Sequence, residues 1–161
     1  ANYLEEADVD LLAALAARPN PPPTGVVFCP RASAYFGHPA PGHSAHRYRD
    51  LLARGVPVAL GTDGMVCLDT PDRLGVLDEM RLLHRRDGAD AATLLAMATV
   101  HGATLLREPL DRVRFARGAR PAGILAIDLA GSAGREDGDP LGEALASDAP
   151  PRWILEPGGG R

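Results

Sequence analysis

Val56-Pro57-Val58-Ala59-Leu60-Gly61-Thr62-Asp63-Gly64 is a short apolar run that stops abruptly at Gly-Thr-Asp-Gly. Four of the five residues before Gly61 are Val, Ala or Leu, with none of the polar alternation of a half-solvated strand, so both faces are expected to be covered. A strand covered on both faces implies α/β packing. In such sheets ligands and catalytic groups gather at the carboxyl edge, because the loops leaving the strands open there. Asp63 is delivered to that edge. Asp before Gly also serves simply to turn or cap backbone, so position alone leaves Asp63 open between turn residue and catalyst. Pro57 fits a ladder only at the first residue or two of a strand, which is where it lies.

Composition narrows the classes of function. The 161 residues suffice for one domain with a real core, whereas a complete (β/α)8 barrel needs roughly 250. A net charge of −4, with arginines scattered among acids, leaves no basic stripe for nucleic acid. The two cysteines, Cys29 and Cys67, lack zinc-finger spacing, which favours a reduced, cytoplasmic protein over a disulfide-stapled one. No apolar stretch approaches the roughly 20 residues that span a bilayer, so no membrane partner is expected.

Along the chain, Leu4, Leu11, Leu12 and Leu15 share a helical face and acids cluster at its start, predicting a helix over 6–17. The proline run after Asn20 ends it. Gly25 to Cys29 reads as a strand. Residues 31–46 read as one long polar loop at a carboxyl edge, holding His38, His43 and His46, and long loops of this kind tend to be functional. The three histidines have the look of metal ligands, although a flexible loop seldom fixes zinc geometry unaided. A helix is predicted over 46–54, burying Tyr48, Leu51 and Leu52, with Gly55 as a left-handed cap. Leu74, Leu77, Met80 and His84 repeat at helical spacing up to about Arg86, where His84 complements the helix dipole. Asp90 is an N-cap for a helix over 91–100, with Met97 in its apolar stripe and a break or kink at His101-Gly102. Gly123 to Asp128 reads as a strand, 130–139 as an exposed loop, 140–146 as a helical turn, 153–155 as a last strand and 157–160 as a frayed end. The order of elements is α/β in class.

Three motifs occur in order: Val26-Val27-Phe28-Cys29-Pro30-Arg31-Ala32-Ser33, then Gly55 to Asp63, then Met97-Ala98-Thr99-Val100-His101-Gly102-Ala103. Together with a return segment over Gly118 to Asp128, they resemble the amidohydrolase superfamily, in its chlorohydrolase, guanine deaminase and adenosylhomocysteine deaminase branch. The resemblance implies the last strands and helices of a (β/α)8 TIM barrel over 1–112. It also implies a return segment over 113–161 to a small flanking β-sandwich. It implies a metal-dependent hydrolase of carbon–nitrogen bonds that deaminates an amino-heterocycle. The cofactor would be one divalent metal, zinc or iron, held by histidines and by an aspartate at the end of strand eight.

Asp63 matches that aspartate, as metal ligand and general base. Arg31, Ser33 and His38 are the expected substrate contacts. The family's His-x-His pair, its later histidines and its acid–base glutamate all precede the Cys-Pro motif and have no counterpart here. Ala34 also stands where the motif carries Asn. The chain thus resembles the last third of the enzyme, expected to bind metal poorly and turn over nothing alone, its partner being the missing amino-terminal barrel segment or another copy of the chain. The other readings are a non-catalytic scaffold module that pairs with another chain, and an independent small doubly-wound domain with Asp63 in an acidic pocket.

Overall fold

The computed structural model describes residues 2–19, 22–70, 73–129 and 138–157. The central pair of strands, β1 (Val26–Phe28) and β2 (Val58–Leu60), is parallel, with Val26 opposite Val58 and Phe28 opposite Leu60. Parallel strands need a long crossover. Here α2 (Pro30–Tyr35) and α3 (Tyr48–Ala53) supply it. All three residues of β2 are buried, as an unbroken apolar run requires, while the β1 pattern leaves Val27 outward and exposed. Pro57 lies just before β2, where its missing N–H costs nothing and its carbonyl accepts from Val26 at 3.0 Å.

Helix α1 (Glu6–Ala16) forms where expected, but its buried stripe is Val9, with Leu12, Ala13 and Ala16 packed against the core. Leu11 is 59% exposed, although Leu4 and Leu12 pack against the core. Glu6 and Asp10 of α1 pair with Arg54, and Glu6 also with Arg47, which joins α1 to the α3 region through exposed ion pairs. Such pairs contribute little individually. Gly55 adopts φ 75°, the left-handed cap its position called for.

Residues 31–46 differ from the expected single loop. Their first part is α2, started by Pro30 at a position where its fixed φ suits a helix and its absent N–H is no loss. The free N–H of Arg31 is taken by Oε2 of Glu79 at 2.9 Å, 48 positions away, a partner that no local pattern reveals.

Helix α4 (Val76–Asp87) buries Met80 and Leu83 and ends at Gly88 with φ 59°. Asp90 accepts from Thr93 N–H at 2.8 Å and caps α5 (Ala91–Ala96). The helix does not stop at His101: a π turn over Met97–His101 runs straight into α6 (Gly102–Leu106). Met97 is fully buried in the core with Leu51, Leu83 and Leu94. A second, antiparallel pair joins β3 (Ile124–Ile127) to β4 (Pro151–Leu155), and between them α7 (Pro140–Ala146) packs on α4. The expected loop over 130–139 and the expected frayed end over 157–160 both fall largely outside the described residues. Among the described residues no helix is long and apolar enough to cross a membrane.

The two strands approach closely at both ends. A Cβ on Gly61 would lie 2.8 Å from Val27 Cγ1 and 3.0 Å from Cys29 Sγ, and one on Gly25 would lie 2.5 Å from the Pro57 carbonyl oxygen. Because that second obstacle is backbone, Gly25→Ala is expected to lower stability by about 1–3 kcal/mol, as overpacking does. Chemical denaturation of the two proteins measures it; unchanged stability would contradict the close approach.

Candidate active site at the carboxyl edge

Cys29 follows β1, Asp63 comes after β2, and both lie at the carboxyl edge of the parallel pair. Asn2, Ser33, His46 and Asp63 line one cavity of about 170 Å³ there, with Phe28 and Cys29. Asp63 is exposed and has φ 58°, one of two non-glycine residues with positive φ among those described. Left-handed backbone costs a non-glycine residue free energy, least for Asp and Asn, and such positions gather at functional sites. Asp63 therefore turns the backbone and also lines the cavity.

The other expected contacts are placed differently from one another. Ser33, buried on α2, lines the Asp63 cavity and donates its hydroxyl to Asn2 Oδ1 at 2.9 Å. His38 lies outside that cavity, in the wall of a broad open groove; Tyr3 bonds its Nδ1, and Ala40 N–H donates to the Tyr3 hydroxyl at 3.0 Å. Arg31 is buried and turned away from Asp63. Its Nε donates to Glu79 Oε1 at 2.7 Å, and its Nη1 to Asp69 at 3.1 Å and Thr70 Oγ1 at 2.7 Å. Burial pushes the Glu79 carboxyl up, and the two bonds from Arg31 pull against it. This pair anchors α2 to α4 and so holds Ser33 beside Asp63.

Two further histidines bear on this edge, His46 of the long loop directly and His101 through the start of β2. His46 stacks on Phe28 with ring centroids 3.8 Å apart and 10° between planes, and it forms one wall of the Asp63 cavity. Burial holds its imidazole down, with a pKa of about 4, so it is neutral at physiological pH. His101 reaches from the π turn to the Val58 carbonyl at 2.9 Å; since a carbonyl only accepts, Nδ1 carries the proton. It steadies the strand that leads to Asp63, and the motif Met97 to Ala103 was the signal for it.

Cys29 is no candidate nucleophile. Burial pushes its thiol up, and the charges of Asp63 and Glu79 push it further, so the thiolate is disfavoured. Among the described residues no three His, Cys, Asp or Glu side chains converge on a point that could hold a metal ion. Cys29, His46 and Asp63 share a cavity without forming such a trio, and His38 and His43 sit around Tyr3 instead. These residues by themselves do not fit a metal centre.

Comparison with known proteins agrees with the motifs. The model of the amidohydrolase family matches residues 3–109. A 5-methylthioadenosine/S-adenosylhomocysteine deaminase of Haloarcula marismortui is 33% identical over 135 residues, covering 79% of this chain and 27% of that protein. The protein of the same name from Desulfovibrio desulfuricans is 39% identical over 88 residues, covering 50% of this chain and 19% of its own length. The chain thus spans about a quarter or less of the curated relatives it matches.

Two outcomes are expected. Arg31→Ala leaves Glu79 buried without its cation and should cost about 3–5 kcal/mol, whereas Arg31→Met combined with Glu79→Leu should recover most of that loss; denaturant melts of the three proteins decide. For His46, the unfolded chain takes up a proton near pH 6.5 and the folded chain only near 4, so stability contributed above pH 6.5 is lost as pH falls towards 4. A ring-proton NMR titration with its midpoint near 6.5 would refute the buried, neutral assignment.

Proposed function

The chain belongs to the amidohydrolase family, and from that premise we propose that it is the Asp63-bearing part of a metal-dependent hydrolase that cleaves a carbon–nitrogen bond of an amino-heterocycle. The observation that carries this reading is Asp63 itself: an exposed carboxylate in left-handed backbone at the carboxyl edge of a buried parallel strand, beside a cavity walled by Ser33 and His46. In this reading residues 1–112 are the end of a (β/α)8 barrel, and 113–161 return to a small β-sandwich. The parallel register of β1 and β2, each with one free edge among the described residues, supports it. The other ligands of the divalent metal, zinc or iron, come from a segment outside these 161 residues.

What this chain's own residues do follows from their chemistry. Asp63 accepts a proton from the attacking water as its oxygen bonds to the ring carbon. The same carboxyl then gives the proton to the exocyclic nitrogen, the carbon–nitrogen bond breaks, and ammonia leaves. Ser33, whose proton is donated to Asn2, offers its hydroxyl oxygen as an acceptor to the bound ring. His46 presents a neutral wall that does not compete with Asp63 for the proton. The names of the relatives make 5-methylthioadenosine and S-adenosylhomocysteine the first substrates to assay.

Asp63→Asn is a clean test, because Asn tolerates the same left-handed backbone and keeps the shape. In the enzyme completed with its histidine-bearing segment, ammonia release should fall by about 10²–10⁴-fold, the usual contribution of a general base. Full activity would remove Asp63 from the chemistry. The 161-residue chain alone should retain far less than one equivalent of zinc after dialysis, since a catalytic site takes three protein ligands; stoichiometric zinc would overturn the division of the site.

A further inference from the structure

One face of α2 forms a wall of the Asp63 cavity. Cys29, Ala32, Ser33 and Phe36 all line it, at positions i, i+3, i+4 and i+7 of the helix and its two caps, the spacing that puts side chains on one side of a helix. Three of the four are small. The fourth, Phe36, ends the row as the C-cap residue, where its N–H donates to the Ala32 carbonyl at 3.0 Å. Gly37 follows with φ 70° and turns the chain, and the phenyl ring stands at the end of the wall, 59% exposed.

That exposure sets Phe36 apart from the other aromatic walls. Phe28 is 2% exposed and His46 stacks on it, so packing accounts for both rings. Phe36 meets Tyr35 at 5.1 Å between centroids and 85° between planes, an edge-to-face contact that braces the ring, and Tyr35 does not line the cavity. Val27 is the other exposed apolar wall, but it is aliphatic. Among the described lining residues Phe36 is thus the exposed one with a flat face to offer.

We propose that Phe36 is the specificity-determining residue of the Asp63 site, its ring covering one face of the aromatic amino-heterocycle. The role rests on the hydrolase reading above and deepens it. In a cavity of about 170 Å³, a ring presented to Asp63 also meets the α2 wall. Ser33 and Phe36, one helical turn apart, then divide the contact: the Ser33 hydroxyl oxygen accepts a hydrogen bond at the edge of the ring, and Phe36 covers its face. Offset stacking adds to the burial of a flat π system, whereas a saturated or open-chain amide gains the burial alone. Bracing by Tyr35 lessens the freedom that Phe36 loses when the substrate binds, which favours affinity.

Steady-state kinetics of the enzyme completed with its histidine-bearing segment, with 5-methylthioadenosine as the probe, test the role. Phe36→Ala should raise KM by about tenfold, the worth of one base stacked on an aromatic side chain. It should leave kcat within about twofold, because a stack made equally in ground and transition states acts on binding. Phe36→Tyr should keep the original KM, and Phe36→Leu, apolar without a flat face, should keep only part of the affinity. Inhibition by 5-methylthioribose, which carries a hydroxyl in place of the heterocycle, should be the same in every variant. An unchanged KM in Phe36→Ala, full affinity in Phe36→Leu, or equal weakening of 5-methylthioribose overturns the role. Lowered stability of Phe36→Ala in denaturant melts, with KM unchanged, assigns the ring to a contact with the amino-terminal segment and overturns it as well. If the wild-type enzyme releases no ammonia from 5-methylthioadenosine or other aminopurines, the hydrolase reading falls and the role of Phe36 with it. Turnover that is lost in Asp63→Asn but insensitive to Phe36 strikes the role alone.

Discussion

The close approach of β1 and β2 constrains everything built on them. Three residues of each strand pair in parallel, and glycines at both ends permit the contact: Gly25 beneath the Pro57 carbonyl and Gly61 against Val27 and Cys29. So short a ladder contributes few hydrogen bonds. Its stability comes from burial on the helix side, where Val26, Phe28, Val58 and Leu60 join Leu51, Leu83, Leu94 and Met97 in one apolar cluster. The same packing sends both chains out at one edge, and the residues that follow the strands, Cys29 and Asp63, are neighbours for that reason.

A buried ion pair then fixes what stands around that edge. Arg31 and Glu79 join α2 to α4, and the backbone N–H of Arg31 uses the second oxygen of the same carboxylate. Such a pair is weak evidence for stability, since desolvation offsets much of the attraction. Its geometric effect is plain: it ties α2 to α4, so that Ser33 lines the Asp63 cavity while the Arg31 side chain bonds Glu79, Asp69 and Thr70. One six-residue helix thus carries both a wall of the Asp63 cavity, at Ser33, and one half of a buried ion pair, at Arg31.

Much of the architecture was legible along the chain. The apolar run to Leu60, the glycine cap at Gly55, the Asp90 cap and the core role of Met97 follow from period, turn chemistry and proline placement. The start of α2 was not legible, because its first N–H is satisfied by Glu79 from a distant helix. Nor was the exposure of Leu11, since the residues of α1 that meet the core are Val9, Leu12, Ala13 and Ala16. Arg31 and His38 carried the right chemistry for substrate contact by type, yet folding placed one in an ion pair and the other against Tyr3. His46 looked like one of three loop histidines; stacking on Phe28 makes it a neutral wall instead.

The sequence by itself determined the α/β class, the strand that delivers Asp63 to a carboxyl edge, and the motifs shared with the amidohydrolase family. Those features are local, set by hydrophobic period and by residues with special backbone preferences. Only the tertiary structure decided which polar side chains share a cavity. Hydrogen-bond partners 31 to 48 residues apart, such as Ser33 with Asn2 and Arg31 with Glu79, are chosen by packing rather than by spacing in the chain. The left-handed turn at Asp63 joins the two levels: its residue type is written in the sequence, and its direction is set by the strands packed beneath it.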